Sequence, residues 1–420
     1  MALKTYPNGL RLSVIPKKGV RLASAQIHIT SGTQSEKNYE SGISEFLSRM
    51  LMMGTSRHPK NRDLIGFAKS NGILLSSHNT SESIVVTATT IADNITKAIE
   101  ILCEIAFESA FEESSGDIIR DEMLGYIVKL QENPSYTLDR MVNQALFYRT
   151  GLANPKFGTI TTISRMTASD AKAFLERVLT PKNTIISVVG DVDADAVYEK
   201  VMNTFYSKFL AGGDYKKLKY VAPIEDFVGG ERTKNKKLNQ SRIFLAFPSV
   251  SYKSIKKHAL EIALPIIIKR IDEEIKDDLK DVSFFHSESI SHELFANNGK
   301  LTIETMVDYE HVEEYLDVIV DSIKHIKDSG VAEAEFEVEK NAYIIKYLQD
   351  NEKASDLGEA AAKEVAINKQ SYSLASELMK IELLTVADAN KIVESVFDFK
   401  KLFIAYLGAP TDVRAIDYID

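Results

Sequence analysis

The sequence predicts an α+β fold made of two homologous repeated domains, each a mostly antiparallel sheet packed with helices. Three observations carry that expectation. Residues 165–190 (RMTASDAKAFLERVLTPKNTIISVVG) align with residues 383–408 (LLTVADANKIVESVFDFKKLFIAYLG) at an offset of 218. Thr167, Asp170, Ala171, Val178 and Gly190 thereby match Thr385, Asp388, Ala389, Val396 and Gly408. Residues 83–105 align with 300–323 at an offset of 217, and a fainter pair sets strand 22–30 beside strand 240–248. Between the copies, over 211–232, apolar periodicity lapses into AGGDYKKLKYVAPIEDFVGGER, with two Gly-Gly pairs and a proline.

Taken in order, MALKTYPNGLRLSVIPKKG has no apolar signal-peptide core and reads as two short strands around the Pro7-Asn8-Gly9 turn. In GISEFLSRMLMMGT (42–55), Ile43, Phe46, Leu47, Met50 and Leu51 fall on one face of a helix, and Met50, Met52 and Met53 read as core filling. Residues 83–91 alternate as a strand, and Ile95, Ile99, Leu102 and Ala106 stripe the helix that follows. Cys103, the only cysteine, lies in that helix and reads as a buried thiol. Thr167 with Asp170 makes a capping-box-like helix start, and a buried strand then stops at Gly190. The second half repeats these elements with Val312, Leu316, Ile319 and Ile323, then with Thr385 and Asp388, then with a strand stopping at Gly408. The expected division is 1–210, a solvated linker at 211–232, and 233–420.

A net charge of −9 argues against a dedicated nucleic-acid binder. No apolar run approaches the ~20 residues of a membrane helix, so the expectation is a cytoplasmic protein without membrane partners. There is no phosphate-binding loop, no GxGxxG after a strand and no nucleophile elbow.

The segment GISEFLSRMLMMGT resembles the metal-binding helix of the insulinase (M16) zinc metallopeptidases, in their short-subunit, mitochondrial-processing-peptidase-like branch. That helix reads approximately G-V/I-A-H-F-L-E-H-M-L-F-K-G-T. This chain keeps Gly42, Ile43, Phe46, Leu47, Met50, Leu51, Gly54 and Thr55, and Pro134 and Phe157-Gly158 extend the likeness. The resemblance implies a LuxS/MPP-like metallohydrolase fold in each half. It also implies that the family's two zinc histidines fall on Glu45 and Arg49, its catalytic glutamate on Ser48, and its third zinc ligand on Tyr126. Arginine stays protonated and offers no donor pair, and serine is a poor base near neutral pH. No catalytic residue, metal ligand or cofactor is therefore assigned to this chain, and zinc is expected only in a partner. Glu45 and Arg49 stand i, i+4 with the acid first, an ion-pair order worth ~0.2–0.5 kcal/mol on an exposed helix.

Two substrate-handling devices of the family also look altered. Its edge strand carries an Asn-Ala pair, where this chain has Leu75 and Ser76, although strand addition uses backbone groups and tolerates the change. Its second-half arginine and tyrosine fall on Lys276 and Ser283, or on Phe284 after a one-residue slip. Lysine keeps the charge but loses the planar fork. His286, Glu288 and His292 lie at even spacing, on one face of a strand, and read as a polar strand face more readily than as a metal site.

The resemblance therefore implies a catalytically inactive M16 subunit that pairs with an active H-x-x-E-H subunit around peptide substrates, as a heterodimer or alternatively a homodimer. The alternative is a scaffold protein, like the core subunits of respiratory complexes, with no peptide-handling role. A third reading is an enzyme with a metal site relocated to His286 and His292.

Overall fold

The computed structural model describes residues 2–209, 217–279 and 286–418. Its strands are β1 (Ala2–Thr5), β2 (Arg11–Pro16), β3 (Leu22–Ile29), β4 (Leu74–Asn79), β5 (Ile84–Ile91), β6 (Thr184–Gly190), β7 (Gly230–Asn235), β8 (Gln240–Ser249), β9 (His286–Leu294), β10 (Gly299–Asp308) and β11 (Phe403–Gly408). The first-half helices are α1 (Ile43–Met50), α2 (Asn61–Ser70), α3 (Ile95–Glu108), α4 (Glu113–Glu132), α5 (Pro134–Leu146), α6 (Ile160–Ile163), α7 (Ala168–Val178) and α8 (Ala194–Val201). The second half adds α9 (Lys257–Asp278), α10 (Val312–Ser329), α11 (Glu333–Asp350), α12 (Ala354–Ile367), α13 (Leu374–Glu382) and α14 (Val386–Val396).

One sheet runs β1-β2-β6-β3-β5-β4 and the other β7-β11-β8-β10-β9. Strand for strand, β2-β6-β3-β5-β4 repeats as β7-β11-β8-β10-β9. Each sheet is antiparallel except at one pair, β2 with β6 and β7 with β11. The repeated helix starts are capped alike: the Thr167 and Thr385 hydroxyls accept the Asp170 and Asp388 N–H groups. The mostly antiparallel α+β repeat expected from the sequence is the observed fold.

The first compact unit comprises residues 1–129, 154–220 and 348–374; the second comprises 130–153, 221–347 and 375–420. These differ from the contiguous division 1–210 and 233–420, because each unit takes a helical segment from the opposite half of the sequence. The physical reason lies on the sheet faces that α3 and α10 leave open. In the second unit, Phe244, Ala246, Phe403, Ala405 and Leu407 make an apolar face, covered by Leu138, Val142 and Leu146 of α5. Asn133 caps α5, its side chain accepting the Ser135 N–H at 2.9 Å. Lys300 of β10, 1% exposed, ties the helix down by donating to Asp139 at 2.6 Å and to Asn143 at 3.0 Å.

In the first unit, α12 covers Ile15 and Val189 with Ala354, Leu357 and Ala361. Arg11 donates to the Val365 carbonyl at 3.0 Å and Gln26 to the Ser355 carbonyl at 2.8 Å. The other face of this sheet carries the larger core, where α3 places Ile95, Ile99, Leu102 and Ala106. Cys103 is buried there, and burial pushes its thiol up to about 12. The expected linker 211–232 is also shorter than its composition implies. β7 starts at Gly230 and pairs with β11, while Val221, Ile224 and Phe227 pack on the cluster around α5.

Candidate functional site

The chain enters α1 through Gly42, in the left-handed region at φ 93°, where a Cβ would meet the Gly158 backbone at 2.8 Å. The Gly42 and Ser44 N–H groups both donate to the Glu36 carboxylate at 2.9 Å. Burial pushes Glu36 up to about 8, against the pull of those two bonds. Glu36 thus fixes the first turn of the helix, a role that no local pattern in the sequence marks.

Ile43, Phe46, Leu47, Met50 and Leu51 are each at most 2% exposed, and Met52 and Met53 pack against the same core. Packing extends beyond this stripe: Glu45 is 7% exposed and Ser48 is 2% exposed. Glu45 Oε1 lies 2.7 Å from Arg49 Nε, and Arg49 also approaches Glu122 of α4 at 3.9 Å. With the acid buried and Arg49 about a third exposed, water screens the attraction less, while burial of the carboxylate costs hydration. Ser48 Oγ is 2.9 Å from Ser77 Oγ of β4, and Ser77 in turn donates to the Val85 carbonyl. Tyr126, on α4, sets its ring against Phe157 with centroids 4.7 Å apart and planes at 67°.

These four side chains do not fit zinc. The only carboxylate among them is held by a guanidinium, the serine hydroxyl is tied to a neighbouring strand, and the tyrosine takes part in an aromatic contact. A tetrahedral site needs three converging nitrogen, sulfur or carboxylate donors, which these positions do not supply.

β4 is an edge strand, paired only with β5 among the described residues. Leu75 is half-buried against the core and Ser76 is exposed, so this edge offers backbone groups with leucine rather than asparagine at position 75. Lys276, on α9, is exposed and lies 2.5 Å from Asp272. Ser283 and Phe284 lie outside the described residues.

His286, Glu288 and His292 do share the half-buried face of β9. Their spacing nevertheless separates them, since six residues of strand at ~3.3 Å each span roughly 20 Å. His292, whose side chain is fully covered, holds Glu261 at 2.7 Å and Ser249 at 2.9 Å. His286 and Glu288 meet instead with Asp272, and the ligand atoms of the three lie within 4.8 Å of one another. Asp272 had no signal in the sequence, because it comes from another element.

Residues 14–160 match the family model "insulinase (peptidase family M16)", and residues 165–343 match "peptidase M16 inactive domain". An uncharacterized zinc protease of Mycobacterium leprae is 22% identical, over 96% of this chain and 91% of that protein. The mitochondrial-processing peptidase subunit beta of Dictyostelium discoideum is 24% identical, over 54% of this chain and 48% of that protein. The crystal structure of a protease from Helicobacter pylori superposes with a TM-score of 0.85 at 16% identity, covering 97% of this chain and 99% of that one. With both halves matched by models of one family and the fold shared along the whole chain, this protein belongs to the M16, or insulinase, peptidase family.

Proposed function

We propose that this chain is a non-catalytic M16 subunit that pairs with an active, H-x-x-E-H-bearing subunit to enclose peptide substrates. The observation that carries the reading is the Glu45–Arg49 ion pair at 2.7 Å, which spans the two positions where the family places zinc histidines. Ser48 bound to Ser77 and Tyr126 packed on Phe157 support it, since base and third ligand are replaced together. The zinc and the water-activating carboxylate come from the partner, and this chain supplies walls and the open edge of β4. One similar protein is itself named as a peptidase subunit.

The test mixes the purified chain with a homologue carrying intact H-x-x-E-H and follows cleavage of a fluorogenic peptide library. No cleavage by this chain alone, and faster cleavage by the mixture than by the homologue, is expected. Chelator-sensitive cleavage by this chain alone, abolished by Glu45→Ala, would overturn the reading. A purely scaffolding role is the second reading, favoured by one observation: Lys276 spends its charge on Asp272 at 2.5 Å. Under that reading the mixture forms a complex without any gain in cleavage.

A further inference from the structure

We infer that the second unit holds a divalent-metal site made by Asp272 of α9 with His286 and Glu288 of β9, remote in the chain from the degenerate α1 motif. The inference is independent of the subunit role proposed above. It rests on how the three residues are held. His286 and Glu288 stand two residues apart and so point from the same face of one strand. Their Nδ1 and Oε2 atoms are 3.2 Å apart, and Asp272 closes the group, with every ligand atom within 4.8 Å of the others. Metal bonds of ~2.0–2.2 Å place ligand atoms at most ~4.4 Å apart, so small side-chain rotations bring these three onto one ion.

The surroundings supply what a bound cation requires. The Glu288 side chain is only 6% exposed, and Tyr315, fully buried on α10, donates its hydroxyl to Glu288 Oε2 at 2.8 Å. A carboxylate oriented by a buried donor is how outer-shell groups fix metal ligands. The His286 ring lies against the same tyrosine, with centroids 6.0 Å apart. Asp272 and His286 are 36% and 22% exposed, which leaves an entry path from solvent.

The cluster already attracts a cation. The Lys276 ammonium sits 2.5 Å from Asp272. Lys276 is 61% exposed on a flexible stem, so it swings away when a divalent ion replaces it. Two carboxylates and one imidazole select a borderline first-row ion such as Zn2+ or Co2+, with remaining positions open to water or a substrate oxygen.

The test uses the full chain, stripped with chelator and titrated calorimetrically with Zn2+ alone. One ion per chain is expected. Both His286→Ala and Asp272→Asn should abolish saturable binding, and Tyr315→Phe should weaken it about 10–100-fold. Lys276→Gln should tighten binding several-fold, because the competing charge is gone. Glu45→Ala should bind as the parent does. Asp272→Asn is nearly isosteric at a half-exposed position, so it keeps the test open if His286→Ala fails to fold. No stoichiometric binding in the parent, parent-like binding in Asp272→Asn, or loss of binding in Glu45→Ala overturns the assignment. That last outcome would place the ion on α1 and overturn the degenerate-site reading too, whereas the first two leave it standing.

Discussion

Replacing Leu138 by alanine tests the exchanged packing of α5 directly. Leu138, Val142 and Leu146 follow one another at i, i+4 and i+8, and their exposures are 0%, 0% and 3%. All three rest on Phe244, Ala246, Phe403, Ala405 and Leu407 of the second sheet. At ~1.5–3 kcal/mol per buried large apolar side chain, they anchor the helix by roughly 5–9 kcal/mol. Removing Leu138 beyond Cβ takes away its share of that burial and leaves a cavity that β8 and β11, held in register on both sides, do not close. The expected loss is about 2–5 kcal/mol. Guanidinium unfolding followed by tyrosine fluorescence reads it, since the chain has 17 tyrosines and no tryptophan. Ile118→Ala on α4 is the control: Ile118 is 54% exposed, and its replacement is expected to change stability by about 0.5 kcal/mol or less. A Leu138→Ala loss below about 1 kcal/mol, indistinguishable from the control, would refute the claim that α5 belongs to the second unit's core.

Gly42→Ala should destabilise the chain by at least about 1–2 kcal/mol in thermal melts, because the residue holds φ 93° and a Cβ would press on Gly158. Glu45→Ala should cost about 1–3 kcal/mol, the value of a charge-assisted bond, and a loss of zero would show that the 2.7 Å pair does not form in solution. Glu36 has a folded pKa raised by burial from 4.5 to about 8, so its contribution is complete below pH 4.5 and is lost as the pH rises through 8. Glu36→Gln, fixed neutral, should therefore gain on the parent across that window in urea titrations at stepped pH, and parallel curves would contradict it. Glu377 shows the opposite sign: its bond to His258, helped by Lys380, lowers it to about 2. The advantage of the parent over Glu377→Gln should hold above pH 4.5 and vanish as the pH falls through 2, read by the same titrations.

Much of this molecule is legible in its sequence because the relevant physics is local. The Thr167 and Thr385 caps need only a hydroxyl three residues before an acid, and both formed. The α1 stripe needs only helical spacing, and Ile43, Phe46, Leu47, Met50 and Leu51 are all buried. The repeat offset of 218 reappears as two sheets of the same strand order. The identities of Glu45, Ser48, Arg49 and Tyr126, where the family resemblance would place its zinc site, are likewise read without coordinates. What the sequence concealed are contacts between elements far apart in the chain. Spacing shows which residues share a face of one helix or strand, but not which other element covers that face.

For that reason the sequence suggests a division at 211–232, whereas the open sheet faces recruit α5 and α12 from the other half of the sequence. For the same reason helical spacing pairs Glu45 with Arg49 but does not show that Glu45 is buried. His292 looked like a neighbour of His286, but strand rise carried it to Glu261 and Asp272 took its place. The sequence by itself determined the repeat and the caps, set by residue type and short spacing. The tertiary structure decided which helix closes which sheet and which charges meet, because burial and pairing at distant positions depend on the packing of whole faces.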